Sequence, residues 1–199
     1  MVSQLRASTS ASDSSQPAVS VRSRRFLHVI EGAIQVFTST HRSFFTNVMV
    51  QALRAAGQGT SVLVVQFLKG GIDQGVDRPV QLGQNLDWIR GNFRHCFRNG
   101  PVNEDEKIAL QDLWSQIQEK VMQGKYALVV LDELSLAIDF GLIPETDVLK
   151  FLRDRPAQVD VILTGPKMPD SIIEIADQVT QFRRNYLPQR DHDQKRHLD

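Results

Sequence analysis

The sequence lacks several features that define broad protein classes. It has one cysteine, Cys96, so it can form neither an intrachain disulfide nor a cysteine cage for a metal, and a reducing compartment is expected. Lys and Arg together number 23, as do Asp and Glu, so no net charge attracts phosphates and no nucleic-acid partner is expected. No apolar run is long enough to cross a bilayer, which predicts a cytoplasmic protein without membrane contact.

The two ends of the chain differ in composition from the middle. Residues 1–25 are rich in serine and end in arginines, and such a segment buries too little apolar surface to fold, which predicts a disordered leader. A Ser- and Arg-rich leader with few acids is also typical of organelle transit peptides, so import is the alternative. Residues 187–199 are polar and are expected to fray. One domain is predicted, at residues 26–186 of the 199.

The middle of the chain alternates β-branched apolar runs with segments of helical periodicity. Strands are predicted at residues 33–37, 61–67, 127–131, 160–164 and 179–182. Helices are predicted at residues 44–56, 105–122, 146–152 and 170–176, with Gly57 ending the first and Asp170 capping the last. Residues 72–103 are predicted to be irregular. Strands that alternate with helices pair in parallel, which predicts an α/β protein with a parallel sheet of at least five strands and helices on both faces.

Ligands of such sheets bind at the carboxyl ends of the strands, so three predicted loops are of interest. They follow the strands predicted at residues 33–37, 127–131 and 160–164, and they lie at residues 38–43, 132–133 and 165–169. Asp132 and Glu133 come after four apolar β residues, in the position of a Walker B element, where a carboxylate can hold Mg²⁺. The alternative is an acid pair that merely caps the next helix. As a residue at a loop end, Asp132 is expected to contribute modestly to stability.

A series of short motifs recurs here in the order and spacing of a known family. They are Val36-Phe37-Thr38, Leu53 to Gly57, Val64 to Gly70, Leu131 to Leu134, Leu152 to Pro156, Ile162 to Gly165 and Ile175 to Thr180. From about residue 33 to about residue 184, the chain resembles the corrinoid adenosyltransferases, which move the 5′-deoxyadenosyl group of ATP onto the cobalt of a reduced corrinoid. The resemblance implies a P-loop NTPase-like (RecA-type) fold, a homodimer, and Mg-ATP and a corrinoid as ligands.

The chain departs from this family at the phosphate-binding loop. Where the family has Gly-Asn-Gly-Lys-Gly-Lys-Thr-Thr after its first strand, the segment here consists of Thr38, Ser39, Thr40, His41, Arg42, Ser43, Phe44, Phe45 and Thr46. The glycines that let backbone N–H groups wrap phosphates are absent, and Phe44 and Phe45 replace the lysine and the metal-binding hydroxyl. Arg42 and the start of the next helix are the remaining features that attract an anion.

Two further sites of the resemblance are also altered. The Thr-Gly-Arg that follows the fifth strand in the family is Thr164-Gly165-Pro166 here, with Lys167 one position later as a possible substitute for the arginine. The corrinoid-facing loop, Gly-Phe-x-Trp in the family, has its nearest match at Gly91 to Phe97. Candidate ring-facing residues are Trp88, Phe93, His95 and Phe97; the alternative is that these aromatics fill the core below a loop.

Two hypotheses of different classes follow. The loss of glycines, lysine and hydroxyl favours a non-catalytic or weakly nucleotide-binding relative that acts through ligand or protein binding. The retention of Asp132 and Glu133 favours the alternative, a functional ATP:corrinoid adenosyltransferase of cobalamin biosynthesis or salvage with a remodelled phosphate site.

Overall fold

The structure is a computed structural model that describes residues 31–70, 75–91 and 103–183, where strands and helices alternate. The strands are β1 (Ile34–Ser39), β2 (Val62–Gln66), β3 (Val80–Leu82), β4 (Leu86–Arg90), β5 (Leu128–Asp132), β6 (Asp160–Pro166) and β7 (Gln178–Phe182). The helices are α1 (Thr46–Gly57), α2 (Glu104–Met122), α3 (Leu134–Asp139), α4 (Glu145–Asp154) and α5 (Asp170–Glu174). The predictions for the leader, residues 1–25, and the tail, residues 187–199, lie outside the described residues.

The strands form one seven-stranded sheet in the order β3-β4-β2-β5-β6-β1-β7. All neighbouring pairs are parallel except the edge hairpin of β3 and β4. The predicted parallel α/β sheet of at least five strands is therefore confirmed, and the carboxyl ends of its parallel strands meet at one edge. In the described part of the chain, no helix is long and apolar enough to cross a membrane.

Each face of the sheet has its own core because successive side chains of a strand point to opposite faces. On one face, α2, α3, α4 and α5 cover strand residues such as Val129 and Leu163. On the other face, α1 covers Val130 and Ile162 with a stripe of small and apolar side chains. The predicted placement of helices on both faces is thus confirmed.

The prediction that residues 72–103 are irregular is wrong for Val80–Leu82 and Leu86–Arg90. The first of these strands is short and exposed along its length, and the second carries Asp87 and Arg90 among apolar residues, so neither has the continuous apolar run of a buried strand. Helix α3 was also not predicted. It has six residues and follows the Asp132-Glu133 pair directly.

Several element ends differ from the predictions by one or two residues. β1 continues through Ser39 and β6 through Pro166, so Thr38 and Gly165 lie in strands and not in loops. Helix α5 has Pro169 at its N-cap, which corrects the prediction that Asp170 caps it. Asp170 is instead the first helical residue, where its negative charge interacts favourably with the helix dipole. Helix α1 includes Gly57.

Candidate functional site

The side chain of Asp132 lies at the carboxyl edge of the sheet and is surrounded by hydrogen-bond donors. Its Oδ2 accepts from Lys69 Nζ and from Gln66 Nε2, each at 2.8 Å, and its Oδ1 accepts from Thr164 Oγ1 at 2.8 Å. The donors come from the end of β2, the turn that follows it, and β6, and these two strands are the neighbours of β5 in the sheet. Asp132 is 1% exposed, so this carboxylate is held by the protein itself rather than by solvent.

Glu133 is paired with an arginine of the loop after β1. Arg42 donates from Nε to Oε1 and from Nη2 to Oε2 of Glu133, both at 2.6 Å. The side chain of Glu133 is 6% exposed and that of Arg42 is 30% exposed. The backbone of Glu133 is left-handed, with φ 61°, and its N–H donates to Thr164 Oγ1 at 3.0 Å. The expected proximity of the acid pair to the loop at residues 38–43 is therefore present.

The loop after β1 folds around one backbone carbonyl. Ser39 Oγ donates to the carbonyl of His41 at 2.5 Å, and Ser43 Oγ donates to the same oxygen at 3.2 Å. Thr40, His41 and Arg42 themselves are exposed residues. The hydroxyl groups of Ser39 and Ser43 thus both bond to the backbone of the loop itself.

The two phenylalanines at the start of α1 have different surroundings. Phe45 occupies the N-cap and is 3% exposed, with its ring edge-on to Phe182 at a centroid distance of 5.6 Å. Phe182 also stacks on Phe37 of β1 at 6.3 Å. Phe44 is 52% exposed, and the Nζ of Lys69 lies 4.5 Å from its ring centroid. The Phe45 ring therefore belongs to the core. Phe44 instead contacts Lys69, which in turn donates a hydrogen bond to Asp132. Thr46 is the first helical residue and is exposed.

The end of β6 packs closely against α3. Gly165 has φ 141°, and a Cβ at this position would lie 2.1 Å from Ser135 Oγ, so only glycine fits. Ser135 Oγ donates to the carbonyl of Pro166 at 2.6 Å. Lys167 is exposed with φ 49°, and its backbone N–H donates to the carbonyl of Ser39 at 3.3 Å. Within the described residues the Lys167 side chain does not contact the acid pair, so the structure joins Thr164 to this site and leaves Lys167 at its border.

Of the four predicted corrinoid-facing residues, only Trp88 lies in the part of the chain that the structure describes. Phe93, His95 and Phe97 lie outside the described residues. Trp88 is a half-buried residue of β4, packed against the core that α1 covers, and the guanidinium carbon of Arg90 lies 5.9 Å from its ring centroid. The placement of Trp88 fits the alternative in which an aromatic fills the core.

The contacts of Lys69 and Gln66 with Asp132 were not predicted from the sequence. Both residues lie in a motif that the resemblance covers, with Gln66 as the last residue of β2 and Lys69 shortly after it, and that position was the available signal. The pairing of Arg42 with Glu133 joins residues 91 positions apart and had no local signal.

The acid pair does not fit a divalent cation as it stands. Mg²⁺ is bound through carboxylate oxygens and water, and both carboxylates here already accept hydrogen bonds from cationic side chains of the protein. In residues 31–70, 75–91 and 103–183, no group of three His, Cys, Asp or Glu side chains is arranged to hold a metal ion. The site is thus a cluster of two carboxylates, Asp132 and Glu133, and two cationic side chains, Lys69 and Arg42, with no net formal charge.

The chain is similar to known proteins along most of its length. The family model described as ATP:corrinoid adenosyltransferase BtuR/CobO/CobP matches residues 30–196. The chain is 30% identical over 153 residues to the corrinoid adenosyltransferase of Escherichia coli K12, covering 76% of each chain. It is 29% identical over 153 residues to corrinoid adenosyltransferase CobA of Salmonella typhimurium, again covering 76% of each. The α/β sheet is the P-loop NTPase-like fold of this family, and the chain belongs to the ATP:corrinoid adenosyltransferase family.

Proposed function

We propose that this protein is a non-catalytic or weakly nucleotide-binding member of its family that acts by binding a ligand or a protein. The observation that carries the proposal is the two-point pair between Arg42 and Glu133, beside the pair between Lys69 and Asp132. The loop that holds phosphates in the family here supplies a cation to the acid that a metal would need. The degenerate loop and the occupied acids therefore support the same function.

A metal ion that binds Glu133 must first break the Arg42–Glu133 salt bridge, and this cost weakens its affinity. A hydrogen bond to a charged group contributes about 1.5–3 kcal/mol, and each decade of affinity corresponds to about 1.4 kcal/mol. A metal that displaces Arg42 thus loses roughly one to two decades of affinity before it gains its own ligands.

The residues at the nucleotide position weaken binding further. Phe44 supplies no positive charge for the terminal phosphates, and Phe45 supplies no hydroxyl and is fixed in the core. Loss of the lysine contact alone removes about 1.5–3 kcal/mol. Together with the lost hydroxyl and glycine nest, we expect Mg-ATP affinity at least about two to three decades below that of an intact loop.

A second function, ATP:corrinoid adenosyltransferase with a remodelled phosphate site, is supported by a different observation. Asp132, Glu133, Thr164 and Lys69 remain gathered at the carboxyl edge, where enzymes of this fold bind nucleotides. In this alternative Arg42 leaves Glu133 when substrate arrives and neutralises a phosphate instead. Mg-ATP and a reduced corrinoid are then its substrates.

Calorimetric titration of the full chain with Mg-ATP, and then with a corrinoid, separates the two functions. The non-catalytic function predicts little or no heat from Mg-ATP in the micromolar range and no adenosylation of a reduced corrinoid. The double change Phe44→Lys and Phe45→Thr is not expected to restore full binding, because Ser39, His41 and Ser43 still carry side chains. Micromolar Mg-ATP binding, or adenosylation that Glu133→Ala abolishes, establishes the enzyme instead.

A homodimer, a protein partner and a cytoplasmic location are further proposals. The homodimer and the location rest on family resemblance and on composition. A protein partner is supported by apolar side chains on and before α1 that are about half exposed, Phe44, Val50 and Leu53. Light scattering of the purified protein measures the oligomer, and Leu53→Glu is expected to disrupt a dimer or complex that uses this surface.

A further inference from the structure

The outer strand β7 lacks the features by which edge strands usually avoid pairing with another chain. Its five residues, Gln178–Phe182, include no charged residue, no proline and no glycine, and among the described residues it pairs with β1 alone. The opposite outer strand, β3, has only three residues and follows Pro79 directly. Short edge strands and prolines hinder the addition of a further strand. The two edges of the sheet therefore differ, and β7 is the edge that is suited to strand addition.

The outward backbone groups of β7 follow from its pairing with β1. The N–H of Ile34 donates to Asp177 Oδ2 at 2.7 Å and its carbonyl accepts from the Asp177 N–H at 2.9 Å, so both backbone groups of Ile34 face β7. Alternate residues of a strand bond to opposite sides, so the even-numbered residues of β1 and β7 bond to each other in this parallel register. The N–H and carbonyl groups of Val179 and Gln181 therefore point away from the sheet.

Apolar side chains accompany these backbone groups on both faces of the edge. Val179 is 43% exposed and Phe182 is 36% exposed, and because they are three positions apart they lie on opposite faces of the sheet. The Phe182 ring also contacts the rings of Phe37 and Phe45, which hold the end of β7 against the sheet. The edge is thus fixed in strand geometry and gains from being covered.

The charges at the two ends of β7 are complementary to those of a second, antiparallel copy. Asp177 directly precedes the strand, Arg183 directly follows it, and both are exposed. When two copies pair with Thr180 opposite Thr180, Asp177 of each copy lies opposite Arg183 of the other. Opposite charges at directly facing positions stabilise such a pair of strands. A shift of two residues in either direction would separate these charges, so they select one register.

The same register also matches the backbone groups. It places Val179 of each copy opposite Gln181 of the other, so that outward N–H groups meet outward carbonyls and the two residues exchange hydrogen bonds. The facing Thr180 residues then form a non-hydrogen-bonded pair, in which side chains approach most closely, and Thr–Thr pairs are favourable there. Backbone and charge therefore agree on one arrangement.

We propose that β7 pairs with β7 of a second copy of this chain, antiparallel about a two-fold axis at Thr180, and that the two sheets become one continuous sheet. The interface is self-complementary, as a two-fold dimer requires. This inference rests on the homodimer proposed above and gives it a specific surface. It does not depend on whether the protein binds Mg-ATP.

The test measures the dimer dissociation constant of the full chain by sedimentation equilibrium. Thr180→Lys and Thr180→Glu each place two like charges opposite each other and are expected to raise this constant at least about tenfold. An equimolar mixture of the two variants is expected to restore the dimer, because the facing charges are then opposite. In a dimer of isotope-labelled and unlabelled copies, NMR is expected to show a contact between the Cα protons of the two Thr180 residues.

Val80→Lys is the matched control, since Val80 is an exposed residue of the other outer strand. It is expected to dimerise like the unmodified protein. If neither Thr180 variant folds, Arg183→Asp carries the test, because it places two acids together at each end of the pairing and is expected to weaken the dimer.

The outcomes separate this proposal from the homodimer itself. A protein that stays monomeric at every concentration tested overturns both. A dimer that persists in folded Thr180 variants, or that Leu53→Glu alone dissociates, overturns the pairing of β7 and leaves the homodimer in place. Slow hydrogen exchange of the Val179 and Gln181 amides in a monomer would show that another segment of the chain covers β7, and this also overturns the proposal.

Discussion

Arg42 and Glu133 form a two-point salt bridge, with Nε bonded to Oε1 and Nη2 bonded to Oε2, each at 2.6 Å. This pair spans from the loop after β1 to the end of β5, across the intervening strand β6. Here the loop provides a cation whose partner is an acid of the protein, so the two ends of the candidate site neutralise each other.

Removing the arginine is expected to free the acid. Arg42→Gln should lower the free energy of unfolding by about 1–3 kcal/mol, because Glu133 is left buried with fewer donors. The same change should raise the affinity for Mg²⁺, measured by calorimetry, by roughly tenfold, since the metal no longer displaces a cation. Arg54→Gln, at an exposed position of α1, serves as the control and should change neither quantity. A folded Arg42→Gln protein with unchanged Mg²⁺ affinity would argue against this role of the pair.

Asp132 is expected to matter more for stability than its position in the sequence suggests. The sequence indicates a loop end and a modest effect, but the structure buries the carboxylate among Lys69, Gln66 and Thr164. We expect Asp132→Ala to lower the free energy of unfolding by about 2–4 kcal/mol, because three donors lose their acceptor. Urea denaturation measures this change.

The control for Asp132→Ala is a double-mutant cycle with Lys69→Met. Removing the cation as well should recover part of the loss, because no unpaired charge then remains at the sheet edge. Strict additivity of the two changes would contradict direct coupling between Lys69 and Asp132.

The fold could be predicted where the local pattern and the final environment agree. The apolar runs that became β2 and β5 are buried along their whole length, so composition alone identifies them. The hairpin of β3 and β4 could not be found this way, because Val80–Leu82 is exposed and gains its strand conformation from pairing with β4. Short edge strands depend on tertiary contacts more than on their own sequence.

The position of the candidate site could be predicted from the sequence, but the pairing of its side chains could not. Parallel strands bring their carboxyl ends together, so the acid pair and the loop after β1 had to be near each other. Which cation meets which acid depends on side-chain reach and on the left-handed backbone of Glu133, and neither is encoded locally. The contact between the buried Phe45 ring and Phe182 is likewise long-range, because the two residues are near opposite ends of the domain's sequence.

The two phenylalanines at the start of α1 provide a matched pair of truncations. Phe45→Ala should lower the free energy of unfolding by about 3–5 kcal/mol, since it removes a buried ring from the core shared with Phe37 and Phe182. Phe44→Ala should lower it by no more than about 1 kcal/mol, because the Phe44 ring is half exposed and contacts the cation of Lys69. Chemical denaturation of both variants in parallel tests this. Equal losses would show that Phe44 is also a core residue.

The amino edge of the sheet carries a separate buried contact that responds to pH. Tyr126 Oη donates to Asp87 Oδ2 at 2.5 Å, and Lys125 Nζ donates to the same oxygen at 2.9 Å. Burial raises the pKa of Asp87, but the hydrogen bonds from Tyr126 and Lys125 outweigh it, so the pKa is lowered overall. Burial, and then the charge and hydrogen bond of Asp87, raise the pKa of Tyr126 well above its ordinary value.

These shifts predict that Tyr126→Phe costs stability only between two pH limits. The lowered pKa of Asp87 means that its ionised form stabilises the fold above the unfolded pKa of about 4, and that this contribution is lost as the pH falls below it. The raised pKa of Tyr126 means that the neutral phenol stabilises the fold below about pH 10, and that this contribution is lost as the pH rises further. The difference in free energy of unfolding between the unmodified protein and Tyr126→Phe should therefore be greatest, at about 1–3 kcal/mol, on the plateau between these limits. Urea denaturation across that pH range measures it, with Ser115→Ala, on the exposed side of α2, as a control that should show no such profile. A difference that stays constant through both limits would mean that the phenol contributes by packing and not through its bond to Asp87.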